Sequence, residues 1–228
     1  MLLPDHLERN LLGAPSEPHA KVEIYSGVAR LSRTVWASEV RRRDTTPSTA
    51  LVLCHPTANF LGHYALPGLA ERGFGGIGLT TRYVGNDTSL IMERCLEDMG
   101  AMVEHLYDRY EKVVLVGNSG GASIVPYYQA QAKSASIVRG LRPVDAVVLL
   151  NAHPSRARLI TEWIDPAIAD EREPFVRNPE LDMYDPANGP PYAPEFIERY
   201  RAAQITRNRR ITAWAKAEQL ALLERGID

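Results

Sequence analysis

The sequence predicts an α/β protein: a mainly parallel sheet with flanking helices, followed by a helical, cap-like region. Three observations carry this. Apolar runs at 50–54, 76–79, 112–116 and 145–150 are short enough for strands, and the first is bounded by Pro47 and Pro56, as for a strand buried on both faces. Between them lie stretches of helical spacing; Ile91, Cys95, Met99, Met102 and Leu106 recur at steps of three and four and so share one helix face. After Asn151 the strand pattern stops, and a proline- and acid-rich stretch, 165–194, leads into helical sequence over 195–225. The expected division is a core over 1–153 and a helical cap or insertion over 154–228.

Taken in order, the first twenty residues are polar and broken by Pro4, Pro15 and Pro18, and read as a loosely held lead-in. Strands are expected at 22–25 and 34–41, the second with the mixed alternation of an outer strand. A short helix over 66–72 should end at Gly73, because glycine tolerates the left-handed backbone that closes a helix. Asn86 or Asp87 is placed to cap the helix carrying the Ile91–Leu106 face. Strand 112–116 then meets a glycine-rich turn and a helix over 120–133.

Composition narrows the function classes. The chain has 228 residues, 45% of them hydrophobic and 24% charged, which suits an ordinary globular fold with a sizeable core. A net charge of −2 gives no reason to expect nucleic acid or an anionic membrane as partner. The basic clusters at 41–43 and 207–210 read as solvated helix ends or turns. Two cysteines, both inside apolar patterns, read as small hydrophobes rather than a disulfide, and no spacing of a zinc site occurs. Asp182, Asp185 and Asn188 match no calcium loop and read as turn residues. The charged N-terminus lacks a signal-peptide core and no stretch is long enough to span a membrane, so the expectation is cytoplasmic. Phosphate-binding signatures fail as well: 117–123 lacks Gly-Lys-Ser/Thr, and no G-x-G-x-x-G follows the first strand. Neither cofactor nor metal is expected.

The chemistry concentrates in Gly117-Asn118-Ser119-Gly120-Gly121, placed directly after the run Lys112-Val113-Val114-Leu115-Val116. A β-branched run passing through G-x-S-x-G into a helix turns so sharply that small residues must flank the serine, which is lifted off the sheet end. With His55-Pro56-Thr57-Ala58-Asn59-Phe60 after strand 50–54 and the strand–helix order, residues 50–151 resemble the first two-thirds of an α/β-hydrolase core. Proline stands where the family's oxyanion loop has glycine after its histidine. The resemblance implies that Ser119 attacks an acyl carbonyl, with the backbone N–H groups of Gly120 and Thr57 stabilising the oxyanion. His55 is expected to shape that loop rather than act as base.

The same resemblance exposes a gap. In the family an acid after a seventh strand and a histidine after an eighth follow the serine, and neither strand is present here. His153 is the one histidine of six that follows Ser119, at a strand end facing the same sheet edge, and is a candidate surrogate base or a polar strand-end residue bonding local backbone; Asp165 is the best-placed acid, or a turn residue before Pro166. Without a seventh strand, 146–150 becomes an apolar edge with no blunting charge, which favours self-association. The expectation is an N-terminal portion of a larger hydrolase. Its function would be a serine hydrolase cleaving an ester or related acyl bond of a small molecule. The alternative is a catalytically silent module of the same fold that binds a ligand or partner through the cleft.

Overall fold

The computed structural model describes residues 3–16, 24–25, 28–29, 34–153 and 155–227. The chain divides into two compact units, residues 1–153 and 154–228. The first unit is built on strands β1 (Leu7–Pro15), β4 (Thr34–Arg42), β5 (Thr49–Cys54), β6 (Gly75–Leu79), β7 (Lys112–Asn118) and β8 (Ala146–Leu150), with a small antiparallel pair of β2 (Ile24–Tyr25) and β3 (Val28–Ala29). Its helices are α1 (Ala65–Glu71), α2 (Met92–Tyr107) and α3 (Gly121–Lys133); the second unit holds α4 (Arg156–Trp163) and α5 (Pro194–Glu224). The six strands form one sheet in the order β1-β4-β6-β5-β7-β8. β6, β5, β7 and β8 run parallel, while β4 joins β6 and β1 joins β4 in antiparallel fashion.

Each face of this sheet is covered by apolar side chains. On one, α2 and α3 bury Cys95, Met99, Met102, Leu106, Ile124 and Val125 against the sheet; on the other, α1 brings Leu66 and Ala70 onto Leu53, Val40 and Val116. Removing such side chains from water supplies about 25 cal/mol per Å², so the crossover helices are held chiefly by their sheet-facing stripes. Cys54 and Cys95 are both buried free thiols, and burial pushes the Cys54 thiol up to about 12.

Several sequence expectations are corrected. Residues 7–15 are a strand rather than a lead-in, because Leu7, Leu12 and Ala14 turn into the core while Glu8, Asn10 and Leu11 stay outward or intermediate. This makes β4 the second strand from the edge instead of an outer one. Asn86 does not cap α2; its carboxamide oxygen accepts from Thr88 N at 3.2 Å and closes a local turn, and α2 begins after Ile91, which is exposed. Residues 22 and 23 of the expected strand at 22–25 lie outside the described residues. The remaining core strands, and α1 with Gly73 at positive φ behind it, fall within a residue or two of expectation.

A charged group sits inside the sheet. Glu39 of β4 is fully buried, and accepts from Tyr110 Oη at 2.6 Å, Asn10 Nδ2 at 2.9 Å and Arg109 at 3.0 Å. Burial opposes its ionisation, but the Tyr110, Asn10 and Arg109 contacts outweigh that and hold its carboxyl below the ordinary value. Hydrogen bonds to a charged acceptor are the strong ones, so this cluster ties β1, β4 and the chain after α2 together.

At the opposite side of the sheet, β8 pairs with β7 alone among the described residues, and Val148, Leu149 and Leu150 are 40%, 49% and 43% exposed. In the second unit, Gln204 is buried and donates to the carbonyls of Glu162 and Ile164, joining α5 to the end of α4. Arg207 and Arg210 hold Glu171, lowering its carboxyl to about 2. Asp182 pairs with Arg177, while Asp185 and Asn188 close turns as expected.

Two outcomes follow. Glu39→Gln should lower the unfolding free energy by about 2 kcal/mol at pH 7. Because the folded carboxyl lies below 4.5, that difference should persist above pH 4.5 and vanish as the pH falls through the folded value; urea titrations at both ends of the range check it. The open apolar edge of β8 should template strand addition, so this chain should associate with rising concentration and Val148→Lys should suppress it. A wild-type monomer at all concentrations in sedimentation velocity contradicts this.

Candidate active site

Parallel strands deliver all their carboxyl ends to one edge of a sheet, where the loops that follow can converge. Here β5 ends into His55, β6 into Thr81, β7 into Ser119 and β8 into Asn151 and His153. His55, Thr57, Ser119, Gly120 and His153 therefore lie at the same edge of the first unit. Asp165 lies in the second unit, where its carboxylate accepts from Arg177 at 2.7 Å and from the Ala167 amide at 3.0 Å. Those contacts give it a structural role in the turn before Pro166.

Ser119 is the most unusual residue of this edge. Its φ is +53°, in left-handed space that a residue with a Cβ rarely enters, and its side chain is exposed. The conformation costs on the order of 1–3 kcal/mol and persists only where the surroundings impose it. They do so here in three ways. The Ser119 amide donates to the carbonyl of Leu150 at the end of β8, at 2.9 Å. The Ser119 carbonyl already accepts from Ala122 N at 3.0 Å, opening α3. Finally, α3 starts so close to the sheet that a Cβ on Gly121 would strike the Cys54 carbonyl and one on Gly117 would strike the Gly121 carbonyl. Both flanking glycines are therefore required by contact.

Beside the turn, the Gly120 amide has no hydrogen-bond partner among the described residues, although Gly120 is buried. His55 lies on the Cα side of Gly120: a Cβ there would come within 2.8 Å of His55 Nε2. The other ring nitrogen, Nδ1, accepts from the Thr57 amide at 3.1 Å and the Ala58 amide at 3.0 Å. An acceptor Nδ1 carries no proton, which assigns the neutral ring's proton to Nε2. His55 thus folds the loop 55–58 around itself, the shaping role expected of it. Proline at 56 is compatible because the two amides used are those after it. The Thr57 amide differs from expectation in one respect: it is shared with His55 Nδ1 rather than left open.

His153 lies at the same edge, beyond the turn at Asn151, which also has positive φ at +49°. Its Nδ1 is buried and has no partner among the described residues. No described residue makes a side-chain hydrogen bond to Ser119 Oγ. Among the aromatic side chains, Tyr128 is core and donates to the Arg142 carbonyl, Tyr127 donates to Glu93, and Phe196 is buried within the second unit. Among the described residues, no cluster of His, Cys, Asp or Glu could hold a metal ion, and no helix is long and apolar enough to cross a membrane.

No protein-family model matches the chain. No curated protein sequence matches it. Among solved structures it is similar to a bacterial heroin esterase, at 16% identity over 64% of this chain and 44% of that one, with a TM-score of 0.41. It is likewise similar to brefeldin A esterase, a bacterial homologue of human hormone-sensitive lipase, at 16% identity over 57% and 36%, TM-score 0.43. The third is an esterase from Pyrococcus furiosus, at 15% over 56% and 46%, TM-score 0.40. The chain spans less than half the length of each of these three. The strand order, the parallel run β6-β5-β7-β8 and the serine turn between β7 and α3 stand on the chain's own geometry. By these features the first unit has the α/β-hydrolase fold through its sixth strand.

Proposed function

We propose that the first unit carries the nucleophile of a serine hydrolase that cleaves an ester or related acyl bond of a small molecule. The observation behind this reading is the strained, exposed Ser119 at the carboxyl end of β7, with an unpartnered Gly120 amide beside it. Strain at one exposed residue, imposed by glycines and by the β8 terminus, is a cost that a purely structural turn has no reason to bear.

In this reading Ser119 Oγ attacks the acyl carbonyl, its proton passes to a base, and the carbonyl oxygen becomes an oxyanion. The Gly120 N–H donates to that oxygen, and the Thr57 N–H contributes the second bond in competition with His55 Nδ1. The start of α3 adds the positive end of its dipole. Collapse expels the alcohol, which takes up the proton, and leaves an acyl-enzyme that water then cleaves. His153 is the base assigned to this edge, through the ring nitrogens of a side chain whose Nδ1 is already buried and unpartnered. Asp165 is given no part, since Arg177 and Ala167 occupy its carboxylate. The aqueous interior of a cell remains the assigned compartment in this proposal.

One observation favours a second reading. Ser119 Oγ makes no hydrogen bond to His153 or to any other described residue, as expected of a module that binds through the cleft without chemistry. A fluorophosphonate distinguishes the two: covalent labelling of Ser119, lost in Ser119→Ala, is the outcome of the hydrolase reading, and a protein inert to the reagent is a binding module. Ser119→Gly should separate strain from chemistry, abolishing labelling while raising stability by up to about 1 kcal/mol in urea titrations, because glycine accepts positive φ. Equal or lower stability of that variant would remove the strain argument.

A further inference from the structure

The loop that carries His55 to Ala58 has its own hydrogen bonds. The neighbouring loop after β6 adds more. Thr81 Oγ1 donates to the carbonyl of Pro56 and accepts from the Tyr83 amide at 3.1 Å, so one hydroxyl bridges the two loops. Gly85 N donates to the carbonyl of Thr57 at 2.9 Å. Two consecutive carbonyls of the His55 loop are thereby held from the same side. The Cys95 thiol, on α2, also reaches the Pro56 carbonyl at 3.9 Å.

The bracing loop is itself anchored in the core. The Arg82 amide donates to Asp98 Oδ2 at 2.7 Å, and the Arg82 guanidinium donates to Asp98 Oδ1 at 2.8 Å. Asp98 is 1% exposed and Ser16 Oγ adds a bond at 3.2 Å. A buried charge pair satisfied by both backbone and guanidinium bonds admits one geometry, since moving either partner leaves a charge without solvent or counter-charge. The chain of contact runs from Asp98 on α2 through Arg82 and Thr81 to Pro56 and Thr57, and His55 of the same loop lies beside Gly120.

We propose that Thr81 is a positioning residue for the Ser119 centre: its hydroxyl fixes the His55–Ala58 loop, and with it the Thr57 amide and the His55 ring, against Gly120. The proposal rests on the serine hydrolase reading for its catalytic consequence, and on the loop contacts alone for its structural one. Thr81 is 4% exposed and touches no reacting atom; its effect passes through the loop. Displacing a donor by a fraction of an ångström from a developing charge costs rate steeply, so the effect should be large relative to the single bond removed.

The test compares the wild-type chain with Thr81→Val, which keeps the shape and removes the hydroxyl, and Thr81→Ser, which restores it. Two quantities are read: the second-order rate of fluorophosphonate labelling, and hydrogen exchange at the Thr57, Ala58 and Gly85 amides. Thr81→Val should label at least about tenfold more slowly and lose protection at those amides, while its unfolding midpoint in urea stays close to wild type; Thr81→Ser should recover both. Unchanged protection in Thr81→Val overturns the brace, and lost protection with an unchanged labelling rate overturns the catalytic consequence. Failure of Thr81→Ser to recover them would show that packing, not the hydroxyl, was disturbed, and also overturns the proposal. If the wild-type chain is not labelled, the hydrolase reading fails separately, and the exchange pattern alone decides the brace. Should Thr81→Val not fold, Thr81→Ala removes the same hydroxyl and is read in the same way.

Discussion

The structure of the candidate site depends on how closely α3 is allowed to approach the carboxyl ends of β5 and β7. A helix beginning three residues after a strand end has no room for side chains at the crossing, and Gly117 and Gly121 supply that room against the Cys54 and Gly121 carbonyls. The geometry that results leaves one residue, Ser119, to absorb the change of direction in left-handed space. Its amide needs a partner and finds it in Leu150 at the end of β8. The strained turn is therefore a joint product of three strands: β5 limits the helix, β7 delivers the serine and β8 holds its amide.

That dependence explains the position of the polar groups around it. Buried charge in the first unit is concentrated where loops or edge strands need a fixed register, at Glu39 between β1, β4 and the chain after α2, and at Asp98 beneath the loop after β6. Both are satisfied by several donors, as buried carboxylates must be. The parallel strands β5, β6 and β7 carry no such group in their interiors and are held by apolar side chains on both faces. Charge orients the periphery, and hydrophobic burial supplies the cohesion of the centre.

Much of this is written in the sequence, and the exceptions have physical causes. The strand runs and the G-x-S-x-G turn are local patterns, so β5 to β8 and the placement of Ser119 were legible without a structure. β1 was not, because its buried positions Leu7, Leu12 and Ala14 serve both faces of the sheet and so show no simple alternation, and the polar Glu8, Arg9 and Asn10 lie between them. Asn86 offered an equally good cap to two structures, and the shorter one, its own turn, won. His55 shaping its loop was expected, but that Nδ1 would take the Thr57 amide could not be read, since it depends on a ring orientation. Thr81 left no signal at all. Its contact to Pro56 joins residues 25 apart through two loops of no regular pattern, and such pairings exist only once the strands have been ordered.

In the proposed hydrolase the strained turn presents a reactive hydroxyl. The most direct measurement is peptide mapping by mass spectrometry after brief exposure to p-nitrophenyl acetate and acid quenching. One acetyl group per chain, confined to the peptide containing Ser119, is the predicted result. Acetyl groups scattered over surface lysines and tyrosines, with Ser119 unmodified, would contradict it.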